Sequence, residues 1–148
     1  MRVEPCAQTS IADWVALRAE LWPDEDAAVM AAEAPAILAD PDKLVLLARE
    51  AGEAVGFAEA AVRQDYVNGC ETSPVAFLEG IYVREARRRH GVARALVAAC
   101  EDWARSKGLR EFASDALLDN TRSHAMHAAL GFEETERVVY FRKDLTVR

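Results

Sequence analysis

Residues 75–83 (Val-Ala-Phe-Leu-Glu-Gly-Ile-Tyr-Val) are largely apolar and lead into Arg87-Arg88-Arg89-His90-Gly91-Val92-Ala93-Arg94-Ala95-Leu96. The first run reads as a strand, and beyond Gly91 the residues Val92, Leu96, Ala99 and Trp103 recur at helical spacing. A basic, glycine-marked turn between strand and helix aims the first free N–H groups of the helix at whatever fills the loop, and an anion belongs there. Gly91 lets backbone approach closely, Ala93 keeps the first turn slim, and the arginines add fork-shaped donors suited to a diphosphate.

The remaining segments supply the parts of one mixed sheet. Ser10 and Asp13 resemble a capping signal, after which Ile11, Trp14, Val15, Leu17, Leu21 and Trp22 keep helical spacing as far as Pro23. Asp24 is positioned to cap a second helix, which Pro35 should kink or divide. Lys43 to Glu50 and Ala54 to Arg63 read as an antiparallel hairpin, and Gln64 to Pro74 as a polar loop long enough to meet a substrate. After Gly108, Glu111 to Asp115 reads as a strand parallel to 75–83, with ligands expected at the strands' carboxyl ends. Asn120 can cap a short helix through Leu130, Gly131 ends it, and Phe132 to Lys143 is expected to supply two final strands. The fold class is therefore α/β (α+β): a mixed central sheet with helices on both faces.

Length and charge narrow the function. A chain of 148 residues suits a single domain, here 1–148, and no segment is apolar for long enough to span a bilayer. No basic segment followed by an apolar run opens the chain, and Cys6, Cys70 and Cys100 fit reduced thiols, so a soluble cytoplasmic protein is expected. The net charge of -7 argues against nucleic acid as main partner, and an acidic cleft would concentrate a cationic small molecule.

With these elements in order, the chain resembles the GNAT acetyltransferase superfamily. The carriers are Arg88, Gly91 and Ala93 in an R-x-x-G-x-A turn, the preceding Leu78-Glu79-Gly80-Ile81-Tyr82-Val83, and Asn120 ahead of Leu130-Gly131-Phe132. Tyr66-Val67-Asn68-Gly69, residues 72–80, Phe112-Ala113-Ser114-Asp115 and residues 133–141 are more narrowly similar to aminoglycoside 6'-N-acetyltransferases. The resemblance implies a GNAT fold and transfer of an acetyl group from acetyl-CoA to an aminoglycoside 6'-amine, usually by a homodimer. It also implies that Ile81, Tyr82 and Val83 hold the pantetheine arm and polarise the thioester. Arg88, Arg89, His90, Gly91, Val92, Ala93 and Arg94 would hold the diphosphate, with Asn120 bonding the arm.

An alkyl ammonium must lose a proton before it attacks a thioester, so a carboxylate is needed. Glu79 matches the family's base position; Asp115 would bind substrate ammonium or share the proton transfer, and Glu136 would contact a substrate amine. Trp22 and Tyr66 match positions lining the sugar cleft, where flat rings meet sugar faces and cations. Many superfamily members place a tyrosine four residues before the Gly-Phe pair, to protonate the departing thiolate; here His127 stands there, and Tyr140 is a second candidate acid. His124 and His127 lie three apart, but no further ligands are signalled and no metal is expected. Two readings compete with the aminoglycoside enzyme. One is acetylation of a polyamine, a metabolite amine or a protein N-terminus, and the other is a non-catalytic acyl-CoA-binding module.

Overall fold

The structure, a computed structural model, describes residues 1–146. Five strands, β1 (Arg2–Pro5), β2 (Lys43–Glu50), β3 (Glu53–Arg63), β4 (Val75–Val83) and β5 (Phe112–Ala113), form one sheet in the order β1-β2-β3-β4-β5. The first three pairings are antiparallel and the last is parallel. Four helices accompany them: α1 (Ile11–Leu21), α2 (Ala27–Ala39), α3 (Val92–Ser106) and α4 (Thr121–Ala129). The chain forms two compact units, Met1–Asp115 and Ala116–Arg148. The sheet and α1 to α3 make up the first.

Side-chain alternation along the hairpin divides the core. Val45, Leu47 and Phe57 bury against Trp14 and Leu17 of α1 and Met30 and Ala34 of α2. Leu46, Ala48 and Ala58 have the opposite parity and are also buried, on the side where α3 contributes Val92, Leu96, Val97, Cys100 and Ala104. The expectation of a mixed sheet covered on both faces therefore holds. Ala51 and Gly52, both at positive φ (49° and 80°), make the tight β2–β3 turn.

Several local expectations need correction. Ser10 does not cap α1 with its side chain; its hydroxyl accepts from Arg49 Nη2 at 3.1 Å, because Arg49 also binds Asp13 and so ties β2 to the start of α1. The cap of α2 is Asp26, not Asp24, since its extended backbone lets Oδ1 accept from the N–H groups of Ala28 and Val29. Pro35 does not divide that helix, which continues to Ala39. Packing of Ile37 and Leu38 against the core offsets the missing hydrogen bond.

Glu111 to Asp115 shrinks to the two residues of β5, paired at Ala76↔Phe112 and Phe77↔Ala113. Pairing stops just before β4 changes register. The two strands expected within 132–143 do not form among the described residues: Val139, Tyr140 and Phe141 are 70%, 86% and 91% exposed, with no ladder to join. β1 was not foreseen, because a four-residue edge strand ending in proline carries almost no periodic signal.

Phe57 is fully buried between α1, α2 and the sheet. Phe57→Ala is expected to lower the unfolding free energy by about 3–5 kcal/mol in urea titrations.

Candidate active site

The register of β3 against β4 slips at one place: Glu59 faces Gly80 while Ala60 faces Leu78, so Glu79 is an inserted residue without an opposite number. Such a bulge bends the strand and redirects the extra side chain. Here it sends Glu79 into a cleft of about 410 Å3, bordered by Arg18, Trp22, Glu25, Lys43 and Glu59. Gly80 is required by the same geometry. A Cβ on it would stand 2.4 Å from Trp22 Cη2 and 2.8 Å from Cζ2, so the indole lies directly on the bulged backbone.

The ring is held in turn by an edge-on contact with Phe57 (centroids 6.1 Å) and by the Arg18 guanidinium 4.6 Å from its centroid. Arg18 is the hub beneath the cleft. Its Nη1 donates to both Glu59 oxygens at 2.5 and 2.6 Å, and its Nε donates to Glu25 at 2.8 Å. Trp14 Nε1 adds a third hydrogen bond to Glu59 at 3.1 Å. Burial pushes the Glu59 carboxyl up, while Arg18 and the Trp14 N–H pull it down. Glu79 has its own cation: Arg63 Nε and Nη2 donate to its two oxygens at 3.0 and 2.8 Å.

Beyond the bulge β4 continues through Ile81, Tyr82 and Val83, paired on one side with Ala58, Phe57 and Gly56. On the other side β5 covers Ala76 and Phe77 alone, so the edge from Leu78 to Val83 has no strand partner among the described residues. Backbone groups along that edge can accept an extended ligand as an added strand. β4 then feeds the loop before α3, in which Arg89 (φ 67°) and Gly91 (φ 79°) are both left-handed. A helix start leaves N–H groups without intrahelical acceptors; no side chain caps this one, and beyond its two chain neighbours no described heavy atom lies within 4 Å of a Cβ built on Gly91. This open, donor-rich turn fits a diphosphate. Arg88 stands apart, because its Nε is committed to the Val83 carbonyl at 2.8 Å.

The sequence-derived site residues separate accordingly. Trp22 and Glu79 meet in the cleft; Ile81, Tyr82 and Val83 follow on the same strand, and Arg89 to Arg94 form the loop and first turn of α3. Tyr82 turns its hydroxyl to Glu20 at 3.3 Å, which leaves the backbone as its contribution to the open edge. Tyr66 is exposed on the 64–74 loop, which Glu111 anchors by accepting the N–H groups of Glu71 and Thr72 and the Thr72 hydroxyl. Asp115 is exposed just after β5.

Asn120, His127, Glu136 and Tyr140 belong to the second unit. Asn120 caps α4 by accepting from Ser123 N–H, and Glu136 and Tyr140 are exposed. His127 Nδ1 lies 2.7 Å from the Ser123 carbonyl, so that nitrogen carries a proton and Nε2 can donate only when the ring is an imidazolium. His124 Nε2 is likewise spent on the Leu117 carbonyl at 2.9 Å. Among the described residues no three His, Cys, Asp or Glu side chains converge as a metal would require.

The buried thiols are poor nucleophiles: desolvation pushes Cys6 up to about 11 and Cys100 up to about 12. Arg18, Glu25, Glu59 and Arg63 were missed in the sequence. A signal existed for Glu59, a carboxylate inside an apolar strand, but none linked it to arginines on α1 and at the end of β3.

The sequence profile of the Acetyltransferase (GNAT) family matches residues 10–132. An aminoglycoside N(6')-acetyltransferase type 1 from Acinetobacter haemolyticus is 50% identical, over 98% of this chain and 99% of its own length. The crystal structure of aminoglycoside antibiotic 6'-N-acetyltransferase AAC(6')-IG from the same species superposes with a TM-score of 0.92, at 50% identity and over 98% of this chain and 99% of that one. AAC(6')-Iy in complex with the bisubstrate analogue CoA-S-monomethyl-acetylneamine superposes with a TM-score of 0.93, at 45% identity and over 97% of each chain.

Two measurements check this geometry. Gly80→Ala forces the indole off the bulge, and a stability loss of about 1–3 kcal/mol in urea titrations is expected. Hydrogen bonds from Thr72 and the Glu71 N–H hold the Glu111 carboxyl below the usual carboxylate range, so its stabilising effect is present at neutral pH and lost as pH falls through the folded-state value. The stability difference between wild type and Glu111→Gln should therefore favour wild type at pH 7 and shrink on acidification.

Proposed function

This chain belongs to the GNAT acetyltransferase family, and from that premise we propose that it transfers the acetyl group of acetyl-CoA to the 6'-amino group of aminoglycosides. One observation carries the proposal. The bulge that aims Glu79 into a carboxylate-bordered cleft lies immediately before the strand edge that β5 leaves uncovered. A proton acceptor and a row of backbone groups for a thioester arm are thus set side by side on one strand. Relatives at about 50% identity over nearly the whole chain support the same substrate class.

Acetyl-CoA supplies the electrophile: amine attack forms a C–N bond, the C–S bond breaks, and the sulfur leaves with the electron pair. Glu79 takes the proton that the ammonium must shed, directly or through water. The backbone from Ile81 to Val83 holds the arm and polarises the carbonyl, and the loop and helix start from Arg89 to Arg94 hold the diphosphate. Arg88 serves this loop from behind, fixing it to the end of β4.

Trp22, backed by Arg18, offers a flat wall to the sugar, and Tyr66 joins it from the 64–74 loop. Asp115 and Glu136 are assigned to further substrate ammonium groups, and Asn120 to the cofactor arm. His127 as imidazolium, or Tyr140, protonates the leaving sulfur. With an ordinary thiol value near 8.5, the thiolate leaves without strong assistance, so neither residue is expected to be as indispensable as Glu79.

The family match runs from the first compact unit into the second, which supports one acetyltransferase domain. We assign the protein to the cytoplasm, where three free cysteines are at home, with neither nucleic acid nor membrane as a partner. No helix among the described residues is long and apolar enough to cross a membrane. The exposed Val139, Tyr140 and Phe141 support assembly as a homodimer. Acetylation removes a cationic amine from the antibiotic, so resistance follows as a consequence.

Thiol release from acetyl-CoA is expected with neamine, which carries a 6'-amine, and not with paromamine, which carries a 6'-hydroxyl. Glu79→Gln should lower kcat/KM for neamine by about 100-fold or more while CoA still binds. Equal rates with both sugars would overturn the specificity, and turnover within about threefold of wild type would overturn the role of Glu79.

A further inference from the structure

Each carboxylate bordering the cleft, from β3, β4 or the connection between α1 and α2, already has an arginine. Glu59 and Glu25 share Arg18, and Glu79 is gripped by Arg63 through two parallel hydrogen bonds. The two arginines differ in freedom. The Arg18 side chain is 17% exposed and is locked by Glu25, Glu59 and Trp22, whereas that of Arg63 is 43% exposed. Arg63 is the last residue of β3, and the polar 64–74 loop starts just after it. Its guanidinium also lies 3.6 Å from the Phe77 ring centroid, so an apolar surface supports it.

A guanidinium fork occupies the best-directed lone pairs of both carboxylate oxygens. An ammonium group that is to give its proton to Glu79 needs one of those same directions. We propose that Arg63 is a resident stand-in for the substrate's reacting ammonium, covering Glu79 in the empty cleft and yielding at least one of its oxygens when the amine arrives. Arg63 then sets the cost of engaging Glu79: any ligand group that bonds this carboxylate must displace a cation already in place. A neutral hydroxyl at the same position gains too little from the carboxylate to do so, whereas an ammonium replaces one charge-assisted bond with another. This rests on the reading of Glu79 as the proton acceptor.

Calorimetric titration with neamine and paromamine, without acetyl-CoA, tests the exchange independently of turnover. Arg63→Met keeps an apolar stem over Phe77 and removes the fork; its neamine dissociation constant is expected to fall by about three- to fivefold, while that for paromamine changes little. In a Glu79→Gln background the same substitution should give no gain. Arg63→Lys, which offers one ammonium in place of a fork, should fall between wild type and Arg63→Met, and it provides the test if Arg63→Met does not fold. Unchanged or weaker neamine binding would overturn the proposal. So would an equal gain with paromamine, or a gain that survives in Glu79→Gln, since removal of a positive charge from the general field would then suffice. Turnover by Glu79→Gln reports separately on the underlying reading: full activity sinks that, whereas lost activity without an Arg63 effect sinks only the exchange.

Discussion

What sets β4 apart from a regular ladder strand follows from one inserted residue. With Glu79 unpaired against β3, the strand changes register between Leu78 and Gly80, and three consequences meet there. The carboxylate turns into the cleft, the glycine presents bare backbone to the Trp22 indole, and the strand beyond departs from β5, which keeps only Ala76 and Phe77. A regular ladder would place Glu79 opposite a partner and let β5 cover more of the edge. It would then have neither an aimed base nor uncovered backbone beyond it.

The bulge is supported from below by charge. Glu59, which faces Gly80, is the one charged side chain among the buried described residues, and burial of a carboxylate is tolerable only with strong donors. Arg18 and Trp14 provide them, and Arg18 extends the support to the Trp22 ring. The floor of the cleft is thus a hydrogen-bonded assembly on α1 and β3, not loosely packed hydrocarbon. Such an arrangement resists shearing of the indole across the strand, because displacement would leave a buried ion without its partner.

Much of this was legible from the residues. The strand 75–83 and the helix after Gly91 announced themselves by the switch from strand-like to helical periodicity, and α1 by its apolar spacing and the proline beyond it. Glu79 stood out as a carboxylate in an apolar run, and Gly80 as a glycine in a strand interior. What failed turned either on local backbone angles or on neighbours far away in sequence. The choice of Asp26 over Asp24 as cap turns on local backbone angles that two nearby aspartates do not reveal. The apolar content of 138–141 has the composition of a strand, yet composition supplies no partner. The arginine partners of Glu59 and Glu79 were hidden for the same reason: a pairing across 41 residues leaves no periodic trace.

The central claim is that Glu79 receives the proton of the reacting amine while the β4 edge beyond the bulge holds the thioester arm. A crystal structure with CoA and neamine bound together tests it most directly. The expected result is a CoA arm running along Ile81 to Val83, its diphosphate over Gly91, and the 6'-nitrogen within about 2.6–3.2 Å of a Glu79 oxygen or of one water bound to it. A CoA lodged away from that edge, or a 6'-amine seated on Asp115 or Glu136 and out of reach of Glu79, would contradict it.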